Sequence, residues 1–261
     1  MCLIFLSLHQ HPNYKLIVAA NRDEFYARQT APAEFWNDHS QIIGGRDLEA
    51  RKPVGTCGTW MAMNKNGRIA MVTNFRDLKN LKTNAPSRGH LVTNFLLSDE
   101  SPKNYLKGIE PNAHEYNGFN LIVGNTSELF YLSNYKKGIE KISDGLHGLS
   151  NALLDSPWPK VLMGKEKMKT LFDKSIIDAN EVLTAMNDAH QAPDDLLPET
   201  GVGLERERML SSMFIKSPSY GTRCSTVVTV DQTNKVAFTE RVYDLKTFGF
   251  EEKKFLFDVK E

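Results

Sequence analysis

An α+β fold in which antiparallel sheets and helices stack in layers is what these 261 residues predict, and three observations carry that expectation. Short apolar runs rich in branched and aromatic side chains recur at the length of strands. Several neighbouring runs are joined by residues that suit a tight reversal, so they pair as hairpins. Stretches with helical spacing fall between groups of strands, which argues against a parallel βαβ order.

Taken along the chain, the first runs are 3–8 and 16–20. Runs 59–63 and 68–74 flank Asn64-Lys65-Asn66-Gly67, a turn sequence, and the spacing at 89–97 predicts a helix. Runs 118–123 and 129–133 flank Gly124-Asn125-Thr126-Ser127. Helices follow at 159–172, with Pro159 in its first turn, at 180–186 and at 204–214. Segment 188–203 is polar and holds Pro193 and Pro198, yet the pattern resumes after it, so it reads as a surface loop within one domain spanning 1–261. Runs 225–230 and 235–241 flank Asp231-Gln232-Thr233-Asn234, and a charged tail with 251–254 ends the chain.

Composition narrows the function. Lysine plus arginine number 32 against 32 acidic residues, so no global field gathers nucleic acid or an anionic membrane. No stretch approaches the roughly 18 apolar residues of a membrane helix. The run 2–8 lacks the flanks of a secretion signal, so a cytoplasmic protein is expected. Cys2, Cys57 and Cys224 form no CxxC and no even set, and thus support neither a disulfide framework nor a metal site. No GxGxxG follows a strand, so no dinucleotide cofactor is expected.

Chemistry enters with Cys2. Removal of Met1 would leave a cysteine carrying its own α-amine, whose pKa of about 8 suits it as a base for the thiol. The same position also suits a buried cysteine at the head of a core strand. Asn21-Arg22-Asp23-Glu24 directly follows the run 16–20. There Arg22 would lower the thiol pKa and Asp23 would orient the amine, or the four residues form a solvated turn. Asn74, Asn151 and Arg223 make a third group: amides donate to an oxyanion without changing charge, and an arginine holds a thiolate or anion. Each also suits a structural role.

Several motifs in order resemble the NRDE family, the group of the transport and Golgi organisation protein 2. They are Met1-Cys2-Leu3-Ile4, Ala20-Asn21-Arg22-Asp23-Glu24-Phe25, Gly44-Gly45-Arg46-Asp47, Gly58-Thr59-Trp60, Val72-Thr73-Asn74-Phe75-Arg76, Ser87-Arg88-Gly89, Gly118-Phe119-Asn120-Leu121, Leu149-Ser150-Asn151 and Gly221-Thr222-Arg223-Cys224-Ser225-Thr226. The family in turn resembles a branch of the N-terminal nucleophile hydrolases. This implies a four-layer αββα sandwich of two antiparallel sheets flanked by helices. Within that superfamily the pattern is similar to bile-salt hydrolases and penicillin V acylases, which implies Cys2 as nucleophile, Arg22 at the strand end, Asn74 and Asn151 beside the oxyanion, and Arg223 as the late arginine. Those enzymes carry an aspartate three positions after the arginine; Phe25 stands there in this chain and Asp23 is adjacent instead, which leaves the orienter of the amine open.

Two functions follow as expectations. In the first, Cys2 hydrolyses an acyl amide with Arg22, Asp23, Asn74, Asn151 and Arg223 around it, and no cofactor is required. In the second, which the family's association with haem trafficking and lipid homeostasis implies, the pocket carries haem non-covalently, or an acyl or lipid ligand. The seven histidines have no ligand spacing for haem. Asn21, Glu24, Gly45, Arg46 and Trp60 are the expected ligand-binding residues. Paired glycines and Trp60 would form the rim and floor beside Cys2, or else a tight turn and a core tryptophan.

Overall fold

In the computed structural model of the chain, residues 2–50 and 56–260 are described. They build two antiparallel sheets. The first contains β1 (Cys2–Leu8), β2 (Tyr14–Phe25), β10 (Gly145–Leu149), β11 (Tyr220–Asp231), β12 (Lys235–Tyr243) and β13 (Phe250–Asp258), in the order β10-β1-β2-β11-β12-β13. The second is a continuous meander of β3 (Thr30–Phe35), β4 (Ile42–Asp47), β5 (Met61–Asn64), β6 (Ile69–Asn74), β7 (Phe119–Gly124), β8 (Leu129–Ser133) and β9 (Glu140–Lys141).

The expected turns form, and their side chains explain why. Asn64 Oδ1 accepts from the N–H groups of Asn66 and Arg68, each at 3.0 Å, and Gly67 takes a φ of +79° to close the β5–β6 hairpin. Asn125 Oδ1 caps Ser127 and Glu128 between β7 and β8. Asp231 Oδ1 does the same for Thr233 and Lys235 between β11 and β12. Two helices, α1 (Gly89–Leu97) and α3 (Pro159–Phe172), have the expected bounds, and α4 (Ala179–Met186) begins one residue early.

Alternation along the strands creates the layers. Leu3, Phe5, Ile17 and Ala19 pack under Val161, Met168, Val182 and Leu183 of α3 and α4. Ile4, Leu6, Leu16 and Val18 point the other way and meet Ile43, Met63, Met71 and Ile122 of the second sheet. Leu121, Val123 and Leu132 on the far face of that sheet bury against α1 and α2 (Pro102–Ile109). The result is the four-layer αββα sandwich, and each fully buried aliphatic or phenyl side chain in it contributes about 1.5–3 kcal/mol.

Four sequence expectations are corrected. Asn21–Glu24 lie inside the twelve-residue β2, because β1 and β11 pair with the strand on both edges. The helix expected to reach 214 ends as α5 (Leu204–Leu210), where Ser211 turns its hydroxyl back to Arg208 O and accepts from Ala192 N. The charged tail is the edge strand β13, its lysines and glutamates exposed along the unpaired edge. The strands β3, β4 and β10 and the helix α2 were not expected, since glycine and proline dilute their patterns.

Candidate active site

Three adjacent strands place Cys2, Arg22 and Cys224 in one row. Cys2 pairs with Arg22 across β1–β2, and Arg22 with Cys224 across β2–β11. Successive strands are about 4.8 Å apart, so Arg22 stands between the two cysteines in the row. Cys2 shares its face with Ile4 and Leu6, and opens at the end of the sheet into a cavity of about 260 Å³. Arg22, Asp23, Glu24, Trp60, Asn74 and Arg88 contribute to its walls.

Arg22 is 4% exposed, lies 4.4 Å from the Trp60 ring centroid and reaches Asp47 Oδ2 at 3.5 Å. Arg28 Nε donates to the same Asp47 oxygen at 2.8 Å. Glu24 accepts from the Phe25 N–H. Burial alone would raise its pKa, but that bond and the guanidinium groups of Arg22 and Arg28 hold it below the usual range.

Asp23 points to the helical side, where Thr222 Oγ1 donates to its Oδ1 at 2.6 Å. Burial lifts its pKa, against the opposing effects of the nearby Lys160 charge and the Thr222 bond. Burial likewise pushes the Cys2 thiol up, and the Asp23 carboxyl adds to this. The Arg22 charge and the Asp23 backbone N–H pull it back. The thiol is therefore protonated near neutrality and needs a base to react. Cys224 is raised well above the ordinary value by burial and by Glu240 beside it.

The two asparagines have different tasks. Asn74, at the end of β6, lines the cavity. Asn151 is fully buried and donates its Nδ2 to Asn74 O at 3.0 Å, while its Oδ1 accepts from Ser150 Oγ, which also donates to Cys2 O. It braces the site behind Asn74. Arg223 donates to Phe25 O and Tyr26 O, each at 2.8 Å, and borders a separate recess beyond Arg22 and Trp60.

Among the expected ligand-binding residues, Glu24 and Trp60 reach the cavity. Asn21 faces the helices, donating to Met186 O and Met213 O and accepting from Ser225 Oγ. Arg46 forks onto Asp38 at 2.7 and 2.8 Å and stacks over Trp36. Gly45 acts through Trp60, since a Cβ there would lie 2.0 Å from the indole. From Gly44-Gly45-Arg46-Asp47 it is thus Asp47 that reaches the cavity wall.

Three contributors were missed from sequence. Arg88 and Asp47 sat in quoted motifs without a role, whereas Lys160 had no motif at all. It is 2% exposed in the first turn of α3, and burial drives its pKa down to about 8, partly offset by Asp23. Nearby, Arg76 forms a buried 2.7 Å ion pair with Glu207 and lies 4.5 Å from the Trp158 ring centroid, tying the end of β6 to α5. Removing one partner of such a pair costs about 3–5 kcal/mol.

Comparison with known proteins accords with this architecture. The family model described as Transport and Golgi organisation 2 matches residues 1–245. The chain is 36% identical over 260 residues to the Transport and Golgi organization protein 2 homolog of Homo sapiens, covering 92% of each. It is 31% identical to the Drosophila melanogaster Transport and Golgi organization protein 2, covering 92% of this chain and 91% of that one. The mutant C2A conjugated bile acid hydrolase from Clostridium perfringens superposes with a TM-score of 0.50 at 9% identity, over 99% of this chain and 92% of that one. The two-sheet sandwich is accordingly that of the N-terminal nucleophile hydrolases, and the chain belongs to the Transport and Golgi organisation 2 family.

Proposed function

We propose that the protein is an N-terminal cysteine amidohydrolase that cleaves a non-peptide acyl amide at Cys2. The observation that carries this is the head of β1. There one cysteine opens into a cavity between Arg22 and Asp23, with Asn74 on the facing sheet. After removal of Met1, the Cys2 α-amine takes the thiol proton as Sγ attacks the acyl carbon. The Asn74 amide donates to the resulting oxyanion, and Asn151 holds Asn74 in place. Collapse breaks the C–N bond, and the leaving amine receives the proton from the α-amine. Water, deprotonated by the same amine, then releases the acid from the thioester. The Clostridium perfringens protein on the same fold, a C2A mutant, is by name a hydrolase of conjugated bile acids, which supports a hydrolytic reading.

Haem fits this cavity less well. Among the described residues no histidine lines it, and guanidinium and carboxylate groups dominate its walls. Among the described residues no cluster of histidine, cysteine and acidic side chains is arranged to hold a metal ion. No helix among them is long and apolar enough to cross a membrane.

A panel of N-acyl 4-nitroanilides of graded chain length tests the proposal. Wild-type protein should release nitroaniline from at least one member, and Cys2→Ala should lower turnover by about 10³-fold or more while leaving KM within a few-fold. Equal release by both proteins, or none by either across the panel, would overturn it.

A further inference from the structure

The first turn of α3, the helix packed on the helical face of β1 and β2, holds a buried polar group that the mechanism above leaves unused. Lys160 is 2% exposed, and its Nζ has no hydrogen-bond partner among the described residues. Lysine is almost never fully buried unless paired. An unbonded interior ammonium costs several kcal/mol, whereas a methionine would fill the same space without that cost. Position adds to the cost, because Lys160 stands in the first turn of α3, where the helix dipole disfavours a cation.

What faces the amine is limited. Asp23 of β2 is the first charged group that favours its protonated form, Cys2 of β1 is the second, and Arg76 opposes it. Arg76 is already engaged with Glu207 and Trp158. Tyr220, also buried with an unbonded hydroxyl, faces the same Asp23 and Cys2. Of the charges around Asp23, whose pKa burial raises, Lys160 exerts the largest pull toward the carboxylate form. Lys160 and Asp23 are thus two buried, oppositely charged groups that act on each other through space without a direct ion pair, the lysine from the helical layer and the aspartate from β2.

We infer that Lys160 is a positioning residue of the Cys2 site, whose buried ammonium keeps Asp23 in the carboxylate form that orients the α-amine of Cys2. The inference rests on the amidohydrolase reading. Its consequence is a sign. Without the ammonium, burial acts on Asp23 with less opposition, so Asp23 takes up its proton at higher pH and the acid limb of Cys2 reactivity moves upward.

Iodoacetamide alkylation followed by peptide mass spectrometry measures that limb at Cys2 from pH 4.5 to 9, with Cys57 and Cys224 as references in the same molecule. In Lys160→Met the limb should move up by about one pH unit or more. Lys160→Arg should restore it, and in an Asp23→Asn background Lys160→Met should produce a markedly smaller shift, the direct effect of the ammonium on the thiol alone remaining. Urea denaturation identifies any variant that has lost its fold, in which case Lys160→Gln serves in the same comparison. A folded methionine or glutamine variant with an unmoved limb would overturn the role of Lys160 and leave the amidohydrolase reading standing. Wild-type protein that shows no preferential alkylation of Cys2 would overturn both.

Discussion

A methyl group on Gly45 would sit 2.0 Å from Cη2 and 2.5 Å from Cζ2 of Trp60, the side chain whose ring supports Arg22. Gly45→Ala is therefore expected to displace the indole, to destabilise the protein by about 1–3 kcal/mol in urea denaturation, and to slow Cys2 alkylation. Unchanged stability together with unchanged alkylation would show that the indole has room to move. At this scale the sequence indicated residue types better than their tasks. Asn21, Arg22, Asp23 and Glu24 are adjacent in the chain, but alternation along a strand sends Asn21 and Asp23 toward the helices and Arg22 toward Trp60. Arg46 and Arg223 lie in recognisable motifs but are held by Asp38 and by backbone carbonyls. Lys160 carries no local signal, because its meaning comes only from the strand packed beneath α3.

Between elements, Asp155 joins β10 to α3. Its Oδ2 bonds His147 Nδ1 at 2.6 Å, and its Oδ1 accepts from Lys165 Nζ at 2.8 Å and from the Gly148 N–H at 2.9 Å. The bond to Asp155 raises the His147 pKa, and the other imidazole nitrogen contacts Ser143 O at 3.0 Å. Burial would raise Asp155, yet His147, Lys165 and Gly148 together hold it far below the usual carboxylate range. The depressed carboxyl contributes stability above about pH 4, which is lost as pH falls through its folded value. The raised histidine contributes below about pH 6.5, and that part is lost as pH rises through its folded value. Asp155→Asn keeps a residue type that tolerates the φ of +57°, so the variant isolates the charge. It should lower Tm by about 2–4 °C near pH 5–6 and by less at pH 3 and pH 9. A Tm difference that is flat across this range would contradict the clamp. The hairpin turns were legible because Asn64, Asn125 and Asp231 act within a few residues of themselves. β4 and β10 were not, since Gly44, Gly45, Gly145 and Gly148 interrupt their apolar pattern while pairing with neighbouring strands sustains them.

Across the whole molecule, the site depends on an assembly that local pattern does not encode. β1 enters between β10 and β2, and β2 pairs with β11 some 200 residues later in the chain, as in Asp23↔Thr222. Periodicity predicted layered sheets and helices; the motif resemblance supplied the four-layer order and the place of Cys2 within it. The central claim is that the cysteine at the head of β1 is a nucleophile. Mass spectrometry of the purified protein, intact and after treatment with a cysteine-acylating probe, tests this most directly. A nucleophilic Cys2 should give an N-terminus without Met1 and an adduct on Cys2 in clear preference to Cys57 and Cys224. A retained Met1 with no preference among the three cysteines would contradict it.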